Sequence, residues 1–374
     1  MMSTQIRPVP SNEGPSKTIP IPANHQRKPH PRWWLSAQAN VWRFLEQVGL
    51  YFHSIPTPSP KEPSFLRKFP TTVVSGQATI LHLAFYVPDD YRSQIQQGRK
   101  YPLVVNMHGG GFTLGTAKDD GRWATMVVKQ VEAVFVSVEY RLAPEYPFPT
   151  AVEDGVEALL HLAANADELG LNPHKMALTG FSAGGNMAFT MPLRLRTHIQ
   201  STRNEYQSKP MEASQSNGTD RTLSGPPLPE IVSIIAWYPS LDNRLTRDER
   251  RASCVRPGKT LPPILTSLFD ESYLPELENR MSPYASPAAA TDADLTAAIP
   301  EGVAMYLCEW DMLLQEGEVF AERLKGLGKR VHLVIIKEKR HAFDKSPYPF
   351  SVDPEATLHY TEACTILKDA LFDS

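Results

Sequence analysis

Cysteine is scarce in this chain: Cys254, Cys308 and Cys364 are the three among 374 residues. None stands in a C-x-x-C pair, which excludes a disulfide scaffold and a zinc knuckle and predicts a reducing compartment. An excess of one charge is missing too. With 38 Lys and Arg against 41 Asp and Glu, the formal net charge is -3, so bulk electrostatics select neither nucleic acid nor an anionic membrane as the main partner. No uncharged run approaches membrane-spanning length, and prolines break the N-terminus where a signal peptide would be continuously apolar. The expectation is a soluble, cytoplasmic protein, without stable membrane insertion, acting on a small molecule. One Asn-X-Thr sequon, at Asn217, sits in a polar stretch and carries no weight there. No internal repeat is visible.

What is present is patterned hydrophobicity, 41% of the chain. Residues 1–31 are rich in proline and polar residues and are predicted to be a mobile tail. Residues 32–374 are expected to form a single domain. Its first segment, "WWLSAQANVWRFLEQVGLYF", reads as an amphipathic helix with Trp34, Leu35, Val41, Trp42, Leu45, Val48 and Phe52 on one face and Arg43 and Gln47 opposite. The expectation is that this face packs onto the domain; too few basic residues favour a membrane-surface helix.

After a proline-rich connector, "TTVVSG" and "TILHLAFYV" read as strands. Strands and helices then alternate: "YPLVVNM", a helix near "DDGRWATMVVKQV", "AVFVSVEY", a helix through "AVEDGVEALLHLAANA", and "KMALTG". The rhythm resumes with "IVSIIAWYP", "VAMYLCEW", the helical "EGEVFAERLKGL" and "VHLVII". That alternation predicts an α/β fold with a mostly parallel sheet covered by helices on both faces. Two segments interrupt it. Residues 197–229 are polar and predict a long, disordered excursion. Residues 243–299 contain helical pieces such as "PPILTSLFDESYL" and could form a lid, with 32–60 adding to such a cap.

The chemistry gathers at strand ends. "GFSAGG" follows the strand "KMALT" and precedes the helical "NMAFTMPLRLR", the context that a G-x-S-x-G turn needs to present Ser182 at the sheet's carboxyl edge. A serine hydroxyl is a poor nucleophile at neutral pH, so it requires a base and a group to orient that base. Of 11 histidines, His341 in "KRHAFD" lies just past the last strand on the same edge; His108 belongs to a glycine motif, and His161 and His174 fall in or near a helix. For the acid, Asp311 in "CEWDMLL" gives the order Ser, acid, base with the acid on the strand immediately before the histidine's. Asp242 in "WYPSLD" is the competitor one strand earlier, and Glu309 sits further back from the rim. "NMHGGGF" offers bare backbone beside a buried strand, where N–H groups could meet an oxyanion formed at Ser182; the candidate donors are Gly110, Gly111 and Ala183.

With these residues assembled, the chain resembles the hormone-sensitive-lipase-like group of α/β-hydrolase carboxylesterases, from about Phe69 to the C-terminus. The motifs are "HGGGF", "YRLAPEYPFP", "GFSAGG", "SPYASP", "EWDMLLQEGEVFAERL" and "HAF", in that order. The resemblance implies an α/β-hydrolase fold with an eight-stranded sheet and a helical cap, and no metal or organic cofactor. It also implies a triad of Ser182, Asp311 and His341 acting on a small-molecule ester, with "YRLAPE" and Asp154 as bracing. Phe181 stands where many relatives carry an acid, and Cys308 where a smaller residue is common. An acyltransferase or lactone-forming enzyme would use the same triad with another acceptor. A binding protein that had lost the chemistry would be expected to lack a triad member, and all three are present. Oligomeric state is not readable from the sequence.

Overall fold

In the computed structural model, which describes residues 30–71, 74, 78–208, 227–345 and 351–372, the apolar runs become eight strands. They are β1 (Phe65–Thr71), β2 (Thr79–Tyr86), β3 (Tyr101–Met107), β4 (Val134–Glu139), β5 (Leu171–Phe181), β6 (Ile231–Trp237), β7 (Gly302–Cys308) and β8 (Arg330–Ile336). The helices among the described residues are α1 (Arg32–Ser54), α2 (Tyr91–Gln96), α3 (Gly121–Gln130), α4 (Thr150–Ala164), α5 (Ala183–Ser208), α6 (Arg247–Ser253), α7 (Pro263–Tyr273), α8 (Asp292–Ala298), α9 (Leu314–Gly326) and α10 (Pro354–Phe372).

The strands form one sheet in the order β1-β2-β4-β3-β5-β6-β7-β8. β1 and β2 join antiparallel, and all the rest are parallel. Successive side chains of a strand point to opposite faces, and here both faces are dry. Leu103, Val105 and Met107 of β3 pack with α4, α5 and α9 through Val156, Met187 and Phe320. Val104 faces the other way, where Trp123 of α3 and Leu367 of α10 close a second apolar layer. Chain order reverses across β3: β4 lies on one side of it and β5 on the other, so the carboxyl ends of β3 and β5 open a crevice.

Three expectations need correction. The first strand is "FLRKFPT", not "TTVVSG", of which Thr71 alone belongs to β1 and residues 72, 73 and 75–77 lie outside the described residues. The segment pairs because alternate residues Phe65, Arg67, Phe69 and Thr71 turn inward against β2, while Pro70 is tolerated on an edge strand. The expected excursion does not begin at 197, because α5 continues through Ser208; residues 209–226 lie outside the described residues, as do residues 1–29 of the predicted tail. The third concerns α1. Leu35 and Ala39 are buried against the domain, and Arg43, expected on the solvent side, also faces inward, donating to the carbonyls of Thr113 and Ala143 at 2.9 Å each. Val41, Leu45, Val48 and Phe52 face outward instead.

Candidate active site

β5 passes into α5 through one residue, Ser182. Its φ of +55° lies in the left-handed region, which costs a side chain with a Cβ on the order of 1–2 kcal/mol. Three backbone hydrogen bonds hold it there: Ser182 N–H donates to Trp237 O at 2.8 Å, and its carbonyl accepts from Asn186 N–H at 3.0 Å and Ser240 N–H at 3.3 Å. The flanking glycines are dictated by space. A Cβ on Gly184 would stand 1.8 Å from Met107 O, and one on Gly180 would stand 2.3 Å from the Gly184 backbone. The start of α5 therefore lies directly on the end of β3.

The three side chains singled out from sequence converge. His341 Nε2 is 2.8 Å from Ser182 Oγ, and His341 Nδ1 is 2.5 Å from Asp311 Oδ2. A carboxylate accepts, so the ring proton sits on Nδ1 and the lone pair of Nε2 faces the hydroxyl. The other Asp311 oxygen accepts from Leu313 N–H at 3.2 Å. The His341 and Asp311 side chains are 5% and 2% exposed, so solvent neither competes for nor screens their contact. The competing acids are engaged elsewhere: Asp242 takes the Arg244 guanidinium in a two-point contact at 2.6 and 2.7 Å, and Glu309 accepts from Lys337 and from Glu338 N–H.

The glycine loop follows β3 and adjoins Ser182. Gly110 has φ +106° and Gly111 φ +60°. A Cβ on Gly110 would reach Leu114 O at 2.3 Å, and one on Gly111 would enter the Phe269 ring at 2.3 Å. Among the described residues, no acceptor takes the N–H of Gly110, Gly111 or Ala183. Gly111 and Ala183 line the Ser182 cavity, whereas Gly110 is set back from its wall. His108 is part of the loop's support: it stacks on Tyr140 with centroids 4.1 Å apart, and Tyr140 donates to His108 O at 2.8 Å. His161 meets Asn165 at the end of its own helix, and His174 pairs with Glu230 at the surface; neither approaches Ser182.

The cavity is narrow, about 40 Å³, and Phe269 and Tyr273 of α7 roof it with Leu274 just after that helix, while Phe112 stacks on Tyr273 at 3.6 Å. Arg247 and Asp270 also line it, paired at 2.6 Å; burial works against the Asp270 charge, but Arg247 and Arg280 hold its carboxyl below the usual range.

Sequence reasoning missed the support behind His341. Tyr238, with φ +36°, sets its ring edge against the imidazole at 4.8 Å, and its hydroxyl donates to Asp344 at 2.5 Å. Tyr360 of α10 donates to the other Asp344 oxygen at 2.5 Å. Lys345 pairs with Asp120 and lies 4.1 Å from the centroid of Phe181, whose ring supplies a cation–π face. The one available signal was the acid three residues after the histidine, in "HAFDK".

A family model described as the alpha/beta hydrolase fold matches residues 104–345. The chain belongs to this family. Within it, the chain is 31% identical over 229 residues to an AB hydrolase superfamily protein of Schizosaccharomyces pombe, covering 61% of this chain and 59% of that one. It is 31% identical over 235 residues to the carboxylesterase NlhH of Mycobacterium tuberculosis, covering 62% and 63%. The matches thus span about three fifths of these relatives' own lengths. Among solved structures, an esterase from Pyrobaculum calidifontis superposes with a TM-score of 0.68 at 26% identity, covering 88% of this chain and 92% of the other.

Proposed function

We propose that this hydrolase-fold chain is a carboxylesterase that cleaves small apolar esters through an acyl-enzyme. The observation that supports it best is the continuous contact from Ser182 Oγ through the His341 ring to Asp311. Ser182 attacks the ester carbonyl while His341 Nε2 takes its proton; Asp311 holds the imidazole in the required tautomer and stabilises its cation. The N–H groups of Gly111 and Ala183, with Gly110 beside them, meet the oxyanion. His341 then returns the proton to the leaving alkoxide, water takes the alcohol's place, and the same imidazole activates it to release the acid. The mycobacterial relative, named a carboxylesterase, and the archaeal esterase structure agree with this chemistry. The tight, aromatic-roofed cavity favours a short acyl group.

A panel of aryl esters of increasing acyl length tests the reading. Turnover should fall with acyl length, and Ser182→Ala should lower it by about 10⁴-fold or more. Retained turnover in Ser182→Ala would refute the assignment.

A further inference from the structure

α1 wears its apolar side outward. At 100° per residue, Trp33, Val41, Phe44, Val48, Tyr51 and Ile55 fall on one stripe, opposite the side that carries Leu35, Ala39 and Arg43. Trp33 is 71% exposed, Phe44 68% and Tyr51 67%. Soluble surfaces scatter large apolar residues singly; a stripe running the length of a 23-residue helix marks a surface that something covers.

We propose that α1 docks on an anionic phospholipid surface, lying in the interface with this stripe immersed. Four observations favour lipid over a second copy of the chain. The stripe is broad, since Leu45 and Phe52 widen it beyond the narrow seam that two helices share. Its composition is aromatic, with indole and phenol rings that prefer the boundary between headgroup and acyl chain. α1 itself is poor in basic residues, but the sequence leading into it carries Arg7, Lys17, Arg27 and Lys28 against the single acid Glu13, so a chain that is acidic overall concentrates positive charge at this end. Lastly, α1 packs on α7, and His30 clasps Glu271 at 2.8 Å, so docking α1 carries the Phe269 and Tyr273 roof of the Ser182 cavity to the same surface. In the segment that carries the lining residue Leu261, Val255 and Ile264 are exposed, as are Arg256 and Lys259. An apolar ester dissolved in the lipid would then reach the cavity without crossing water. No helix among the described residues is long and apolar enough to cross a membrane, so the mode is lying on the bilayer rather than spanning it.

The test is flotation of the full chain with phosphatidylcholine vesicles, with and without phosphatidylserine, alongside light scattering of the lipid-free protein. Wild type should float with the phosphatidylserine vesicles, and Phe44→Glu with Tyr51→Glu should weaken that binding by about tenfold or more. Melting temperature and hydrolysis of a water-soluble short aryl ester should not change, which separates this proposal from the hydrolase reading. Absence of flotation, or flotation that the double variant retains, would overturn the proposal. A concentration-dependent dimer abolished by the double variant, without lipid binding, would assign the stripe to a second copy. Lipid binding that appears only after residues 1–29 are removed would assign it to the chain's own N-terminal segment.

Discussion

The rim of the sheet and the helix α1 are held by opposite means. At the rim the backbone itself is constrained: Ser182, Gly110, Gly111 and Ala342 all sit at positive φ, and Gly180 and Gly184 leave no room for a Cβ. α1 is fastened by side chains, with Arg43 on two carbonyls of neighbouring loops and Glu46 accepting from Gly115 N–H at 2.8 Å. Parts that backbone sterics fix tolerate almost no change, whereas the outer face of a helix clipped on by polar contacts can change without disturbing the fold beneath it. That division of labour suits a rigid reacting geometry beneath an adaptable cover.

Gly184→Val should have the largest effect. With Met107 O where the first added carbon would go, folding should be lost by about 4 kcal/mol or more, read as a collapse of soluble, cooperatively melting protein. Asp311→Asn should leave the melting temperature nearly intact but cut kcat by about 10⁴-fold, because the amide favours the wrong imidazole tautomer. Gly111→Ala should lower kcat by about 10²-fold or more as the oxyanion loop shifts. Adding Phe269→Ala should recover part of that loss, since the ring is what the new methyl meets.

The smallest effect belongs to α1. Burial, reinforced by the nearby charge of Asp119, raises the Glu46 carboxyl to about 8. Its folded value lies above the unfolded 4.5, so the stability it contributes is present at low pH and fades as pH rises toward 8. Glu46→Gln should therefore melt close to wild type in mild acid and several degrees above it near pH 9, as calorimetry at the two pH values would show.

The same contrast explains what could be read in the sequence. Ser182, Asp311 and His341 were legible because each follows a strand in an alternating pattern, and parallel topology delivers successive strand ends to one edge. The glycine loop was legible because three adjacent glycines have little other use. Strand order also favoured Asp311 over Asp242, and in the structure Asp311 faces His341 while Asp242 is taken up by Arg244. The brace of Tyr238 on Asp344 joins residues 106 apart and leaves no local pattern. Periodicity found the helix α1 but drew its apolar face through Leu35, which points inward, and left out Trp33, Phe44 and Tyr51, which point outward; the inward polar anchors Arg43 and Glu46 decide the orientation, and their partners are loops far along the chain. β1 escaped because Arg67, Lys68 and Pro70 obscure its alternation, which the register with β2 reveals.

The proposed hydrolase makes Ser182 the nucleophile and His341 its base, an assignment that intact-mass analysis with peptide mapping after exposure to a fluorophosphonate decides. One adduct is expected, on Ser182, forming at a rate lowered about 10³-fold or more in His341→Ala. An adduct on another serine, or labelling of Ser182 that is indifferent to His341, would contradict it.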